Sequence, residues 1–519
     1  MNGRSLGMTK KPIAYLLLIL AVTLFGSLTM ASQANSDDVR RPAVAGQFYP
    51  EAPSMLRAAV EKFLEDAVPV RVRNPVAIVV PHAGYIFSGQ IAADAFKQAS
   101  RQKYDLVVIL GTNHTSSEFR KIAVYPGSGF RTPLGVARID REVVAALIAA
   151  DPDCIPEESV HEREHSVEVQ VPFVQVLFPE AKIVPIIVGT TDLNLCSRFG
   201  LALAKLIKNR RALIVASSDL SHYPSYDDAV AADRETLEAL AKLDPALFQA
   251  KVRSLTNRSI PNLHTGACGE APILAAMTAA KSLGAARGVV VSYANSGDTS
   301  VGERSRVVGY GAVALTAEKG SADVGVLDKP KGGTKAGPLL TEDKKALLRF
   351  ARSTISRVFE TGTTPLAKGF GAGAQQPRGC FVTLRKNGQL RGCIGQMVAD
   401  APLCKLVGAM ALKSAFQDSR FRPVSQDEMG SIEIEISVLT PLRPVASAEE
   451  IVVGRDGVVI RKDGHSAVYL PQVATEQGWG REEMLDNLCL KAGLLRDGWR
   501  EGAQFSTFQA VVFSENAFK

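Results

Sequence analysis

The chain has 519 residues, 22% of them charged and 46% hydrophobic, with a net charge of +7. That length exceeds one usual core, so two or three domains are expected. The positive charge is dispersed and aromatic residues make up only 6%, which argues against a nucleic-acid partner and against a base-stacking surface.

Taken in chain order, the first feature is a leader. Arg4, Lys10 and Lys11 precede an apolar run over residues 12–28, and "TMASQANSDD" follows with small residues near Ala31 and Ala34. This is the layout of a secretory signal, and the run is also nearly long enough to anchor in a bilayer. Residues 1–34 are therefore expected to be a signal peptide or membrane anchor. The protein is then exported, periplasmic or extracellular, or held to a membrane through this segment alone.

From 41 to 316, short β-branched runs alternate with helical segments. "PVAIVV", "YDLVVILG", "AKIVPIIVG", "RALIVASS" and "RGVVVSY" read as strands, while "GQIAADAFKQAS" and "LALAKLIKNRR" read as helices. The alternation predicts an α/β domain whose sheet is covered by helices on both faces. Residues 318–338 are rich in Gly, Lys, Asp and Pro with little periodicity and read as a linker. A smaller α+β domain is expected over 339–515. It opens on a helix, "LLTEDKKALLRFARSTISRVF", and continues into a hairpin, "CFVTLRKNGQLRGCIG", turning at Asn387-Gly388. "SIEIEISVLT" alternates with period two, as a half-buried strand does.

Seven cysteines without a CxxC pair give no disulfide framework. A two-residue turn at Asn387-Gly388 sets Cys380 opposite Gly395 and Cys393 opposite Val382. Both thiols then face one side as diagonal neighbours, too far apart for a disulfide. Cys393, beside Arg391 and two glycines, is a candidate reactive thiolate; the alternative is a cysteine simply buried in a sheet.

Three expected strands end in chemistry-bearing residues. His82 follows "VAIVVP", His114 follows "LVVILGTN", and Asp219 and His222 follow "LIVASS". In open α/β sheets, ligands bind at the carboxyl ends of the strands. Imidazole binds iron, copper or zinc, and it changes protonation near neutral pH. Cys268, between Gly266 and Gly269 and just before an expected helix, is a candidate thiolate; a helix start lowers a thiol's pKa. "HEREH", His161 to His165, formally matches the H-E-x-x-H of zinc metalloproteases. Its polar, proline-flanked surroundings lack the amphipathic helix that motif requires, so this remains the weakest reading.

"RPAVAGQFYP", "PHAGYIFSG", "GTNH", "RTPLG", "EHSVEVQVPF", "SSDLSHY", "GACGEAPI" and "VSYANSGD" follow one another in the order of the Memo family, AmmeMemoRadiSam system protein B, which residues 41–316 resemble. The resemblance implies a fold similar to class III extradiol dioxygenases, which hold non-haem iron between two histidines and a glutamate; in Memo-type proteins a cysteine takes the third position. It assigns metal ligation, iron or copper, to His82, His114 and Cys268. His222 matches the dioxygenase acid/base histidine, with Asp219 expected to orient it, and thiolate in place of carboxylate favours Cu(I) or a redox role. His165 and Glu168 belong to the family's E-H-S-x-E motif and are expected to line the cofactor pocket, with a salt bridge inside the fold as the alternative for Glu168.

"GCFVTLRKNGQLRGCIG", "SAFQDSRFRPVS", "EIEISVLTPL" and "YLPQVATEQGW" resemble the AMMECR family, AmmeMemoRadiSam system protein A. The system's name implies a radical SAM partner protein. This chain lacks the CxxxCxxC cluster motif of such an enzyme. The expected function is that of a metal-dependent oxidoreductase acting on a small molecule or a protein, with a non-catalytic metal-binding scaffold as the alternative.

Overall fold

The computed structural model describes residues 38–318, 337–399 and 401–518. The expected leader and almost all of the expected linker lie outside them. Among the described residues, no helix is long and apolar enough to cross a membrane.

The N-terminal unit is built on an eight-stranded mixed sheet. Its centre is four parallel strands in the order Pro75–Val80, Ala212–Ser217, Leu106–Thr112 and Lys182–Val188. These are the β-branched runs expected from the sequence, and all seven residues of Leu106–Thr112 are buried. Each fully buried valine, leucine or isoleucine contributes about 1.5–3 kcal/mol, so this centre carries much of the unit's stability. Antiparallel strands Gly309–Thr316 and Arg287–Asn295 extend one edge. Ile122–Val124 and Cys154–Pro156 extend the other.

Helix Tyr85–Ala99 connects Pro75–Val80 to Leu106–Thr112, and Leu193–Ile207 connects Lys182–Val188 back to Ala212–Ser217. The two connections step in opposite directions across the sheet. Right-handed crossovers therefore set these helices on opposite faces. The parallel strands all run the same way, so Pro81-His82, Asn113-His114 and Ser218-Asp219 emerge together at one end. Two glycines let other segments close on that end. A Cβ on Gly111 would come 2.5 Å from Ser166 Oγ, and one on Gly269 would come 2.5 Å from the Ser217 carbonyl.

The C-terminal unit has two four-stranded antiparallel sheets, an α+β arrangement as expected. Helices Thr341–Thr361 and Leu403–Phe416 pack on one face of the first sheet. Asn387 and Gly388 take positive φ of 51° and 78°, the primed turn that Asn-Gly favours. The hairpin register nevertheless departs from the sequence reading. Leu384 pairs with Gly392 and Arg385 with Leu390, so Arg391 is an extra residue in its strand. That bulge moves the register by one. Cys393 lies opposite Thr383 and Cys380 opposite Gln396, and the two thiols face opposite sides of the sheet. All seven cysteines are free.

Candidate metal centre

Ring nitrogens of His82, His114 and His165 lie within 4.8 Å of one another. His82 is buried, His165 half-buried and His114 exposed. The cluster therefore meets solvent at His114. His114 and His165 stack at 4.6 Å, each about 5 Å from the His82 ring, and Phe48 covers His165 at 4.7 Å.

Proton positions follow from the partners. Ser217 Oγ donates to the Ser166 carbonyl at 2.6 Å and accepts from Gln170 Nε2 at 2.9 Å. Its remaining contact, 3.1 Å from His82 Nδ1, is thus one in which the ring donates. The lone pair of His82 is left on Nε2, 3.1 Å from Cys268 Sγ, and the thiol donates to it. His114 is fixed by Glu164, whose carboxylate takes its backbone amide at 2.7 Å and Nδ1 at 2.9 Å. Its Nε2 then also carries the lone pair. Glu164 Oε1 further lies 3.4 Å from His165 Nδ1. A carboxylate behind a histidine is the usual means of holding a metal-binding imidazole in one tautomer and orientation.

The electrostatics favour neutral rings at His82 and His165 and a charged support. Burial, reinforced by the other histidines, drives His82 well below its ordinary value. Burial also takes His165 down to about 4, against the pull of Glu164. Burial alone would raise Glu164, but the His114 hydrogen bond, the two histidine charges and the Ser166 amide hold it at about 2. The Cys268 thiol departs from the sequence expectation. Although it precedes helix Glu270–Ser282, burial and then the Asp219 charge push it well above its ordinary value.

The other sequence candidates are placed as follows. Asp219 Oδ1 accepts from the His82 and Ala83 amides at 2.7 and 3.3 Å, so it braces the His82 turn rather than His222. His222 Nδ1 donates instead to the Leu220 carbonyl at 3.0 Å, because the Asp219 side chain turns back toward residues 82–83. The neighbouring Tyr223 has φ of 75°, a left-handed conformation uncommon for a bulky residue. Glu168 forms a fully buried ion pair with Arg40 at 2.6 Å, the salt-bridge alternative of the sequence reading. Cys393 lies in the other unit, away from this cluster. Sequence reasoning missed Glu164, Ser217, Gln170 and Arg40. Glu164 immediately precedes His165 in "EHSVE", which was the available signal.

"HEREH" does not form a zinc-protease helix. The helix is only Ser159–Glu162, Glu162 is exposed, and His161 is buried beside Tyr125 and Phe130, outside the triad. His161 Nε2 donates to the Ala123 carbonyl at 3.2 Å, and its buried Nδ1 has no partner. Burial, with the Arg40 charge, lowers it to about 3. As pH falls below about 6.5, the unfolded chain takes up this proton and the folded one does not, so stability falls with acidification down to about pH 3. Wild-type protein at pH 5 is expected to lose about 2 kcal/mol more than His161→Phe does, relative to pH 7.5. Equal losses in denaturant titrations of both proteins would contradict this.

The family model described as Memo-like protein matches residues 40–314, and the one described as AMMECR1 matches 348–513. A MEMO1 family protein of Aquifex aeolicus is 39% identical over 275 residues, 52% of this chain and 97% of that one. Another, from Methanosarcina barkeri, is 37% identical over 279 residues, 53% of this chain and 99% of that one. A solved structure of an uncharacterized protein from Pyrococcus horikoshii is 36% identical with a TM-score of 0.33, covering 34% of this chain and 92% of that one. The chain belongs to the Memo family through its N-terminal unit and carries an AMMECR1 domain after it.

Proposed function

We propose that the N-terminal unit holds one redox-active transition metal, iron or copper, in a dioxygenase-like pocket, and that it acts there on a small molecule or a protein. One observation carries the reading: three histidine rings, at least two with their lone pairs freed by buried partners, converge within 4.8 Å. His82 and His114 would ligate through Nε2, with Cys268 as third donor and His165 beside them. Neutral imidazoles and a thiol are a donor set that suits iron and copper. A bound metal would supply Lewis acidity and one-electron chemistry.

The residues of this chain do the rest. Glu164 and Ser217 fix the rings, Asp219 fixes the turn that carries His82, and Phe48 shields one side. His222, on the loop beside the triad, is the proposed proton-transferring group, held in one tautomer by the Leu220 carbonyl. The same reading includes a radical SAM partner, and export or anchoring through residues 1–34.

His222→Ala tests the catalytic reading against a scaffold that merely stores metal. The variant is expected to keep the wild-type metal stoichiometry and to lose about 10²-fold or more in any substrate-dependent rate. The measurements are elemental analysis of anaerobically purified protein and the metal's absorbance change on adding substrate or oxygen. Loss of metal as complete as in His82→Ala would make His222 a ligand and favour the scaffold.

A further inference from the structure

The bulge at Arg391 has a chemical result. Without it, Cys393 would share the face of Cys380, Val382 and Leu384, which packs into the apolar core under helix Leu403–Phe416. With it, the thiol joins the other face, where Cys393, Thr383 and Glu435 form one row across three adjacent strands. Bulges recur where a side chain is re-aimed beside a site. Here the re-aimed side chain is a half-buried, free thiol.

Its surroundings are polar and of mixed charge: burial pushes the thiol above its ordinary value, the Thr383 hydrogen bond and Arg420 oppose that, and Asp418 and Glu435 add to it. Thr383 Oγ donates to Cys393 Sγ at 3.3 Å. Asp418 accepts from the Cys393 amide at 2.8 Å and pairs with Arg420 at 2.7 Å, and Arg420 also donates to the Cys393 carbonyl at 3.0 Å. Lys491, at the end of helix Arg481–Lys491, lies over the Tyr469 ring at 4.7 Å and donates to the Val468 carbonyl. Its ammonium is held below its ordinary value by burial and by Arg420, and raised by Cys393, so all three groups share one neighbourhood. Burial pushes the Glu435 carboxyl up, against Arg385. One step along the same face, Gln472 donates to Ser437 at 3.4 Å while its buried Oε1 has no partner. A buried acceptor without a donor calls for one from outside.

We propose that Cys393 is the nucleophile of a second site, in the C-terminal unit, that takes small anionic electrophiles: carbonyl compounds bearing a carboxylate or phosphate. Arg420 and Lys491 hold the anionic group. Cys393 Sγ bonds to the carbonyl carbon, the C=O π bond breaks, and the thiol's proton ends on the former carbonyl oxygen. The addition is balanced without a co-reactant and reverses by the same route. This site is independent of the metal centre.

Site-resolved alkylation of the full chain tests it, read at the Cys393 peptide by mass spectrometry. Iodoacetate and iodoacetamide differ in charge but deliver the same step: sulfur displaces iodide and the thiol proton goes to solvent. Cys393 is expected to favour the anionic reagent. Lys491→Met should lower the iodoacetate-to-iodoacetamide rate ratio about threefold or more, and Lys491→Arg should keep it. Glyoxylate should slow iodoacetamide labelling of the wild type, and acetaldehyde at equal concentration should not. Tryptophan fluorescence, from Trp479 and Trp499, checks that each variant's C-terminal unit is folded. An unchanged ratio in folded Lys491→Met overturns the proposal. So does equal protection by both aldehydes, or a Cys393 that labels only in urea.

Discussion

Replacing Glu168 by glutamine is expected to destabilise the N-terminal unit by about 3–5 kcal/mol, the usual cost of leaving one partner of a buried ion pair unmatched. The side chains of Arg40 and Glu168 are 3% and 0% exposed. Arg40 donates five hydrogen bonds, to Glu168 and to the carbonyls of Arg41, His161, Glu162 and Glu164. Glu168 accepts from Arg40, the Ala43 and Val44 amides and the Tyr49 hydroxyl. Exchanging both charges for apolar groups, often harmless elsewhere, would here strand those amides and carbonyls. Both tryptophans lie in the C-terminal unit, so their fluorescence reports that unit. The circular-dichroism transition of the N-terminal unit should move to lower urea. A loss under about 1 kcal/mol would show the pair to be dispensable.

This clasp bears on the site as well as on stability. Arg40 grips the backbone of the segment that presents Glu164 and His165 to the triad, although neither charge of the pair belongs to the triad. It also shows which features of the molecule were legible in its sequence. The central strands were legible because a strand buried on both faces must be an unbroken apolar run, as in "LVVILG". The convergence of His82 and His114 followed from strand ends and a parallel sheet alone.

What remained hidden depended on single-residue displacements or long-range partners. One extra residue, Arg391, reversed the face of Cys393, and nothing in "GQLRGCIG" marks which residue is unpaired. Asp219 was close enough in sequence to reach His222, yet its carboxylate found two backbone amides 136–137 residues away. His165 entered the triad because the helix beginning at Ser159 stops at Glu162, and the polar, proline-flanked stretch gave only the weaker half of that inference. The thiol of Cys268 precedes a helix start, which lowers a thiol's pKa when water reaches it; burial beside Asp219 reverses the sign.

Cys268→Ser is expected to weaken Cu(I) binding by more than about 100-fold, whereas Cys196→Ser leaves it unchanged. Cys268 Sγ is 3.1 Å from the lone-pair nitrogen of His82. Cys196 is buried on helix Leu193–Ile207 with its thiol on the Thr190 carbonyl, outside the histidine cluster. Serine offers a harder oxygen that does not ionise near neutral pH, so a soft ion loses a thiolate without replacement. The size of the loss separates a ligand from a support, because removing an outer partner costs about 10–100-fold. Glu164→Gln, which leaves His114 without its carboxylate, should fall in that smaller range. Binding by the thiol must also expel a proton that burial holds tightly, so affinity should rise with pH in the wild type and less steeply in Cys268→Ser. Competition with a colorimetric Cu(I) chelator measures the wild type and these variants, with His165→Ala beside them. If Cys268→Ser binds like wild type while His165→Ala loses the ion, the donors are three imidazoles and the thiol is only a neighbour. That result would remove the argument for a soft, thiolate-bound metal and leave the three histidines as the whole site.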